Sequence, residues 1–312
     1  MAAAAGFTTA KTGEIDIIVA EMASNLVKHA GGGEIFVRIF CEGEHEAIEI
    51  ISIDQGKGMQ DPVKMMEDGI STTNTLGHGL GSMKRLSDVF EIYSLRDWGT
   101  IILSRVYKKS QPLKTRPRTE IRPFIVAKPG ETLSGDGYSY KVKKDSVQLF
   151  LGDGLGHGED AHKAVSKAIA AFWECPDTAP PDILRYIHHA VKKTRGLVGT
   201  IASYSFTEKK WKICGIGNIS TRTQSGLNTK NHMSYNGILG LNIPNTLKEQ
   251  EIGHERGQLL IMCSDGIKTR FDLQKYPGIF KYDLSVLAAA LFRDYARETD
   301  DMSVIVARIN LN

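Results

Sequence analysis

Residues 147–158, "VQLFLGDGLGHG", decide how the second half of this chain is read. A short β-rich run leads into Gly152, and Asp153 stands where that strand must end. An acid at the end of an apolar strand is costly to bury without a partner. Taken alone, Asp153-Gly154 is a common turn pair. The arrangement recurs, however. Asp136 sits in "LSGDGY", Asp265 follows "LLIMCS", and Asp300 and Asp301 precede "MSVIVARI". For four sites that each bring an acid to a strand end, a shared cation is the better account. Oxygen ligands without clustered His or Cys suit Mg²⁺ or Mn²⁺.

"GLGHG" (154–158) is mirrored by "GHGLG" (77–81), but nothing around the two matches, so they are not a repeat. The earlier glycines open an apolar helical pattern. Glycine lets a backbone approach phosphate closely, and free N–H groups at a helix start attract anions. Upstream, "EIDIIVAEMASNLVKHA" (14–30) reads as a helix with Ile17, Ile18, Met22, Leu26 and Val27 at helical spacing, ended by Gly31-Gly32-Gly33. Glu21 and Asn25 share one face of it, with Lys28 and His29 close by. "IEIISIDQGKGM" is a strand running into Asp54, Gly56 and Gly58, and Gly99-Thr100 begins another.

At roughly 100–200 residues per domain, 312 residues suggest two domains. A composition 41% hydrophobic and 24% charged is that of an ordinary globular protein. A net charge of +3 is too small to argue for nucleic acid or an acidic membrane surface. The four scattered cysteines read as reduced thiols, no apolar run approaches a membrane span, and "MAAAAGF" lacks a signal-peptide pattern. A cytoplasmic location is therefore expected. Residues 108–122 hold six basic residues, one acid and two prolines, with no aromatic to stack on bases. The expected division is 1–107, a basic linker 108–120, and 121–312. Before the linker the pattern is one helix and several strands. After it, strands dominate, with helices near 159–173, 181–195 and 283–297, as in an α+β sandwich.

The order ExxxN, DxGxG, GxGLG, GT over residues 8–107 resembles the GHKL ATP-binding family, and within it the RsbT-type serine kinases of bacterial partner switching. No histidine phospho-acceptor helix precedes it. The resemblance implies a Bergerat-type α/β sandwich that binds ATP-Mg²⁺. Asn25 would hold the Mg²⁺, Asp54 would accept the adenine amino group, and Gly56 and Gly58 would make room for the base. Gly77, Gly79 and Gly81 would form a lid over the phosphates, Thr100 would support Asp54, and Lys28 would touch phosphate. Glu21 would be the general base toward a substrate serine. Relatives carry a strand and most of a helix before the Glu motif. Only twenty residues precede Glu21 here, so the domain is expected to be cut short or to lack the sheet's first edge.

The set "SGDGY", "GDGLGHG", "GTIASYSF", "GIGNIS", "SDGI" and "TDDMSVIV" over 121–312 resembles the type-2C protein phosphatases, most closely the sporulation stage-II-E (SpoIIE) branch and its RsbX-like members. This implies two packed antiparallel sheets flanked by helices, with a binuclear centre at one end. Asp153 would bridge both metals and the Gly154 carbonyl would ligate one. Asp136, Asp265 and Asp300 would complete the shell, with Asp301 the lesser candidate of its pair. The metals would lower the pKa of a bridging water and hold a phosphoryl oxygen. His157 reads as a turn residue, His162, His188 and His189 read as solvated, and Arg122 is a weak phosphate-clamp candidate. The resemblances together imply a phosphatase for phosphoserine or phosphothreonine on a STAS-domain antagonist in an anti-sigma pathway, with an opposing serine kinase in the same chain. Two alternatives stand beside this: a GHKL half that only senses nucleotide, and a non-enzymatic partner-binding module.

Overall fold

Thr8 starts the first helix, its hydroxyl accepting from the Lys11 amide at 3.3 Å. In the computed structural model, α1 (Thr9–Asn25) passes directly into a π-turn, Leu26–Ala30, closed by Gly31 in the left-handed region. The buried residues are Ile15, Ile18, Met22 and Leu26. Ile17 and Val27, expected on that stripe, are 49% and 75% exposed. Successive helical residues are rotated by about 100°, so Ile17 cannot share a narrow stripe with Ile18, nor Val27 with Leu26.

The structure describes residues 1–62, 79–109, 117–226 and 228–311. They fall into two units, Met1–Thr115 with Gly278–Ala290 and Arg116–Pro277 with Leu291–Asn312. Residues 110–116, most of the expected linker, lie outside the described set. Among the described residues no helix is long and apolar enough to cross a membrane.

In the first unit, β1 (Glu34–Glu42), β2 (His45–Ile53), β3 (Val89–Leu95) and β4 (Gly99–Tyr107) form an antiparallel sheet in the order β1-β2-β4-β3. Ile48, Ile50, Ile92, Ile102 and Val106 build a core with the α1 stripe and with Met83 of α2 (Gly79–Leu86). The opposite face carries Arg38, Glu49 and Arg105 in register across three strands. Glu49 is fully buried and Arg105 is 2% exposed.

Asp283 and Ser285 complete this cluster. Arg105 donates Nε to Glu49 Oε2 at 2.6 Å and both terminal nitrogens to Asp283 at 2.8 Å. Ser285 Oγ accepts from Arg105 at 3.0 Å and donates to Glu49 at 3.1 Å, while Arg38 Nε reaches the other Glu49 oxygen at 2.7 Å. Burial alone would push the Glu49 carboxyl up, but Arg105 and Arg38 outweigh it and hold the group below the usual glutamate range.

The second unit holds two five-stranded antiparallel sheets. One runs β11 (Asn228–His232), β10 (Ser220–Ser225), β13 (Leu259–Cys263), β14 (Met302–Ile309), β5 (Thr119–Val126). The other runs β12 (Gln250–Gly253), β9 (Lys210–Ile216), β8 (Leu197–Ser205), β7 (Ser146–Gly154), β6 (Asp136–Val142). β7 shows the period of two that builds the layers. Val147, Leu149 and Leu151 enter a core with Leu260, Met262 and Ile305 of the facing sheet. Phe150 points the other way, into a core with Val165 and Phe172 of α3 (Glu159–Glu174) and Ile183 and Ile187 of α4 (Pro180–Ala190). The expected sandwich of sheets flanked by helices is the fold.

Candidate functional site

The first unit gathers its polar residues at the end of α1. A β-carbon placed on Gly79 would stand 2.9 Å from Glu21 Oε2 and 3.9 Å from Asn25 Oδ1. The start of α2 therefore lies against both side chains. Asp54 follows β2, and its Oδ1 accepts from the Gly56 amide at 2.8 Å and the Thr100 amide at 3.1 Å. Asp54 also donates its own amide to the Thr100 carbonyl at 3.0 Å. Thr100 thus meets Asp54 through its backbone, while its hydroxyl pairs with Ser94 Oγ at 2.9 Å. Gly58 lies beyond the Gly56 turn, and Gly81 is buried in α2. Lys28 is exposed in the π-turn. Gly77 lies outside the described residues.

In the second unit β6 and β7 pair so that Asp136 stands directly opposite Asp153. Like charges opposite each other on a sheet repel. Burial pushes the Asp153 carboxyl up, and Asp136, Asp265, Asp300 and Asp301 push it further. Burial likewise raises Asp136, with Asp301 and Asp265 adding to it, although nearby Ser264 and Ser303 temper the shift. Asp136 is 5% exposed, and neither of its carboxylate oxygens has a hydrogen-bond partner. Asp265 sits in the turn after β13 and accepts from Asn218 Nδ2 at 2.8 Å. Asp300 Oδ1 accepts from the Asp301 amide at 2.9 Å.

Asp301 differs from these acids. It is buried and accepts from the Lys128 and Gly135 amides, each at 2.9 Å. Its oxygens are engaged in fastening the 128–135 loop beside Asp136. His157 makes a 2.7 Å contact from Nδ1 to Glu131 Oε1 on that loop. Of the histidines expected to be solvated, one is half-buried and one is buried. His162 Nδ1 lies 2.9 Å from the Ser134 carbonyl, and His188 is buried, its Nδ1 accepting from the Gly240 amide at 3.1 Å. Both rings project from helix faces turned inward, a direction the polar residue type alone does not signal. His189 is exposed, and Arg122 is buried in β5 with Nη1 donating to the Ile121 carbonyl.

The chain has counterparts among known proteins. The family model for stage II sporulation protein E (SpoIIE) matches residues 143–310, more than half of the chain. The chain belongs to the SpoIIE family. A histidine kinase-like ATPase domain model matches residues 1–105 of this SpoIIE-family chain. The serine/threonine-protein kinase RsbT of Bacillus subtilis (strain 168) is 39% identical over 97 residues, covering 31% of this chain and 73% of that protein. The phosphoserine phosphatase RsbX of the same organism is 24% identical over 147 residues, 46% of this chain and 72% of that protein. The solved PP2C phosphatase domain of SpoIIE from Bacillus subtilis, with a fragment of its regulatory domain, is similar in fold. It has a TM-score of 0.53 at 17% identity, over 95% of this chain and 88% of that one.

The SpoIIE-family chain is a protein serine/threonine phosphatase that depends on divalent metal, joined to an ATP-binding domain of the RsbT type. The acids fit a cation. Asp136 is buried with both carboxylate oxygens unpartnered and stands opposite a second acid that burial raises, so positive charge there would compensate both. Among the described residues no three His, Cys, Asp or Glu side chains already stand as a set that could hold an ion. A cation there would need further oxygens, which backbone carbonyl and water could supply.

Proposed function

We propose that the second unit hydrolyses phosphoserine or phosphothreonine on a STAS-domain antagonist, and that the first unit uses ATP-Mg²⁺ to phosphorylate a protein of the same kind. The observation that carries the hydrolysis is the Asp136–Asp153 pair: the two acids stand opposite each other, Asp136 is buried with both oxygens unpartnered, and a bound cation would compensate them. Asp136, Asp153, Asp265, Asp300 and the Gly154 carbonyl hold Mn²⁺ or Mg²⁺, and Asp301 positions the neighbouring loop. When bound, the metals supply an activated water and a grip on a phosphoryl oxygen. The work of the chain itself is to hold the acids apart at fixed strand ends and to admit a phosphorylated loop.

For the first unit, the reading rests on Gly79 lying against Glu21 and Asn25. This puts the start of α2, with its outward N–H groups, beside the base and the Mg²⁺ ligand. Asp54 is aimed by two amides toward the adenine, with Gly56, Gly58, Gly81 and Thr100 around it and Lys28 and Gly77 completing the phosphate side. Residues 1–107 and 121–312 then act as two catalytic domains joined by 108–120.

Incubating the chain with candidate STAS proteins, first with ATP-Mg²⁺ and then with Mn²⁺ alone, followed by phosphopeptide mass spectrometry, tests both directions. Phosphate should appear on serine in the first incubation and leave in the second. Glu21→Gln should abolish the first without affecting the second. A Glu21→Gln chain that transfers phosphate at the wild-type rate would leave the first unit as a nucleotide sensor.

A further inference from the structure

We propose that Arg195 binds the phosphoryl group of the phosphoprotein substrate. The residue lies between α4 and β8, and nothing in the local pattern "VKKTRGLVG" separates it from its basic neighbours. The fold does. Leu197 is paired with Gly154, so the turn ahead of β8 lies across from the loop that follows Asp153. The Gly196 carbonyl accepts from the Leu155 amide at 3.1 Å and fastens the two turns together. Thr194 braces the arginine's backbone from the other side, donating to the Val191 carbonyl at 2.7 Å and accepting from the Gly196 amide at 3.1 Å.

The guanidinium itself reaches the loop. A β-carbon on Gly156 would stand 2.9 Å from Arg195 Nη1, and Gly156 has φ +81°. The left-handed backbone angle favours glycine, and the guanidinium reaches this glycine three positions after Asp153. Asp160, in the first turn of α3, stands 3.6 Å from Arg195 Nε. Both partners are about half exposed, so the pair contributes little to stability. Its effect is to orient the fork. Among the described residues Asp160 is the sole acid in ion-pair range of Arg195, with the contact at Nε.

The chemistry follows from what a phosphoryl group needs. Metal ions at the acid cluster would hold one oxygen, leaving the remaining oxygens with negative charge to be met by the chain. A planar guanidinium matches two such oxygens with parallel donors, where a lysine offers only a point charge. Lys192 and Lys193, three and two positions earlier, are exposed. The proposal rests on the phosphatase reading of the Asp153 site.

The test compares wild type, R195A and R195K with Mn²⁺, on a phosphoserine peptide and on p-nitrophenyl phosphate. Inhibition by inorganic phosphate, the thermal midpoint and calorimetric Mn²⁺ affinity are measured alongside. R195A should lower kcat/KM about 10- to 100-fold on both substrates, as expected for one lost charge-assisted interaction. It should weaken phosphate inhibition by a similar factor and leave the midpoint and Mn²⁺ affinity unchanged. R195K should recover only part of the loss. If R195A does not fold, R195Q, which keeps the stem, takes its place. An active wild type with R195A inside twofold of it, or phosphate inhibition that does not move, would overturn the proposal. A wild type inactive on both substrates would remove the phosphatase reading and the proposal with it.

Discussion

Two clusters of buried charge, one in each unit, are built on opposite principles. In the first, Arg38, Glu49, Arg105, Asp283 and Ser285 satisfy one another, with every terminal group of Arg105 engaged. In the second, Asp136 and Asp153 face each other, no ion pair to either is found among the described residues, and the oxygens of Asp136 are unpartnered. Buried charge is tolerated only when compensated. The first cluster finds its compensation within the protein, and its role is structural. The second is left incomplete, which marks a place for something the chain does not encode. Burial alone would not have told them apart, because Glu49 and Asp136 are both out of water. The partner inventory does.

The comparison breaks most visibly at Asp153. Asp153→Asn should reduce phosphatase activity to background. It should also raise the thermal midpoint of the metal-free chain, because one of two repelling buried acids is gone. A midpoint that falls in the metal-free variant would mean that the pair is not repulsive. Next in size is Arg105→Ala, which strands Glu49 and Asp283 and should cost about 3–5 kcal/mol in urea unfolding. A loss below about 1 kcal/mol would show the network to be solvated rather than buried.

The smallest effect is on pH. Glu49 is held below its ordinary value when folded, so the unfolded chain binds the proton more readily. Its contribution is fully present above the ordinary glutamate range and is lost as pH falls through the depressed folded value. The wild type should therefore lose stability on acidification more steeply than Glu49→Gln, read from urea midpoints across the acid range. Parallel curves would remove Glu49 from the account.

Legibility from sequence followed apolar content. β3 is "VFEIYSL" and β14 is "MSVIVARI", and both coincide with β-rich runs read directly. β10, "STRTQS", and β11, "NTKNH", are sheet members with almost no apolar signal. They pair with β13 and with each other by backbone hydrogen bonds, which any residue but proline supplies. Asp136 was legible as an acid near a glycine, but its strand, "DGYSYKV", was not. The same limit applies to the helices. The inward turn of His162 and His188 and the outward turn of Ile17 depend on where each helix is seated, not on residue type.

The sequence by itself determined which residue types stand where chemistry is possible: acids at strand ends, glycines opening α2, and a Glu and an Asn one helical turn apart. Those features are local, set by strand alternation and by the pitch of a helix. Only the tertiary structure decided which acids meet and which are already occupied. It placed Asp136 opposite Asp153, tied Asp301 to two backbone amides, and carried Asp283 to Arg105 across 178 positions of sequence. Electrostatic energy depends on distance in space and on exclusion of water, and neither is written in the order of residues.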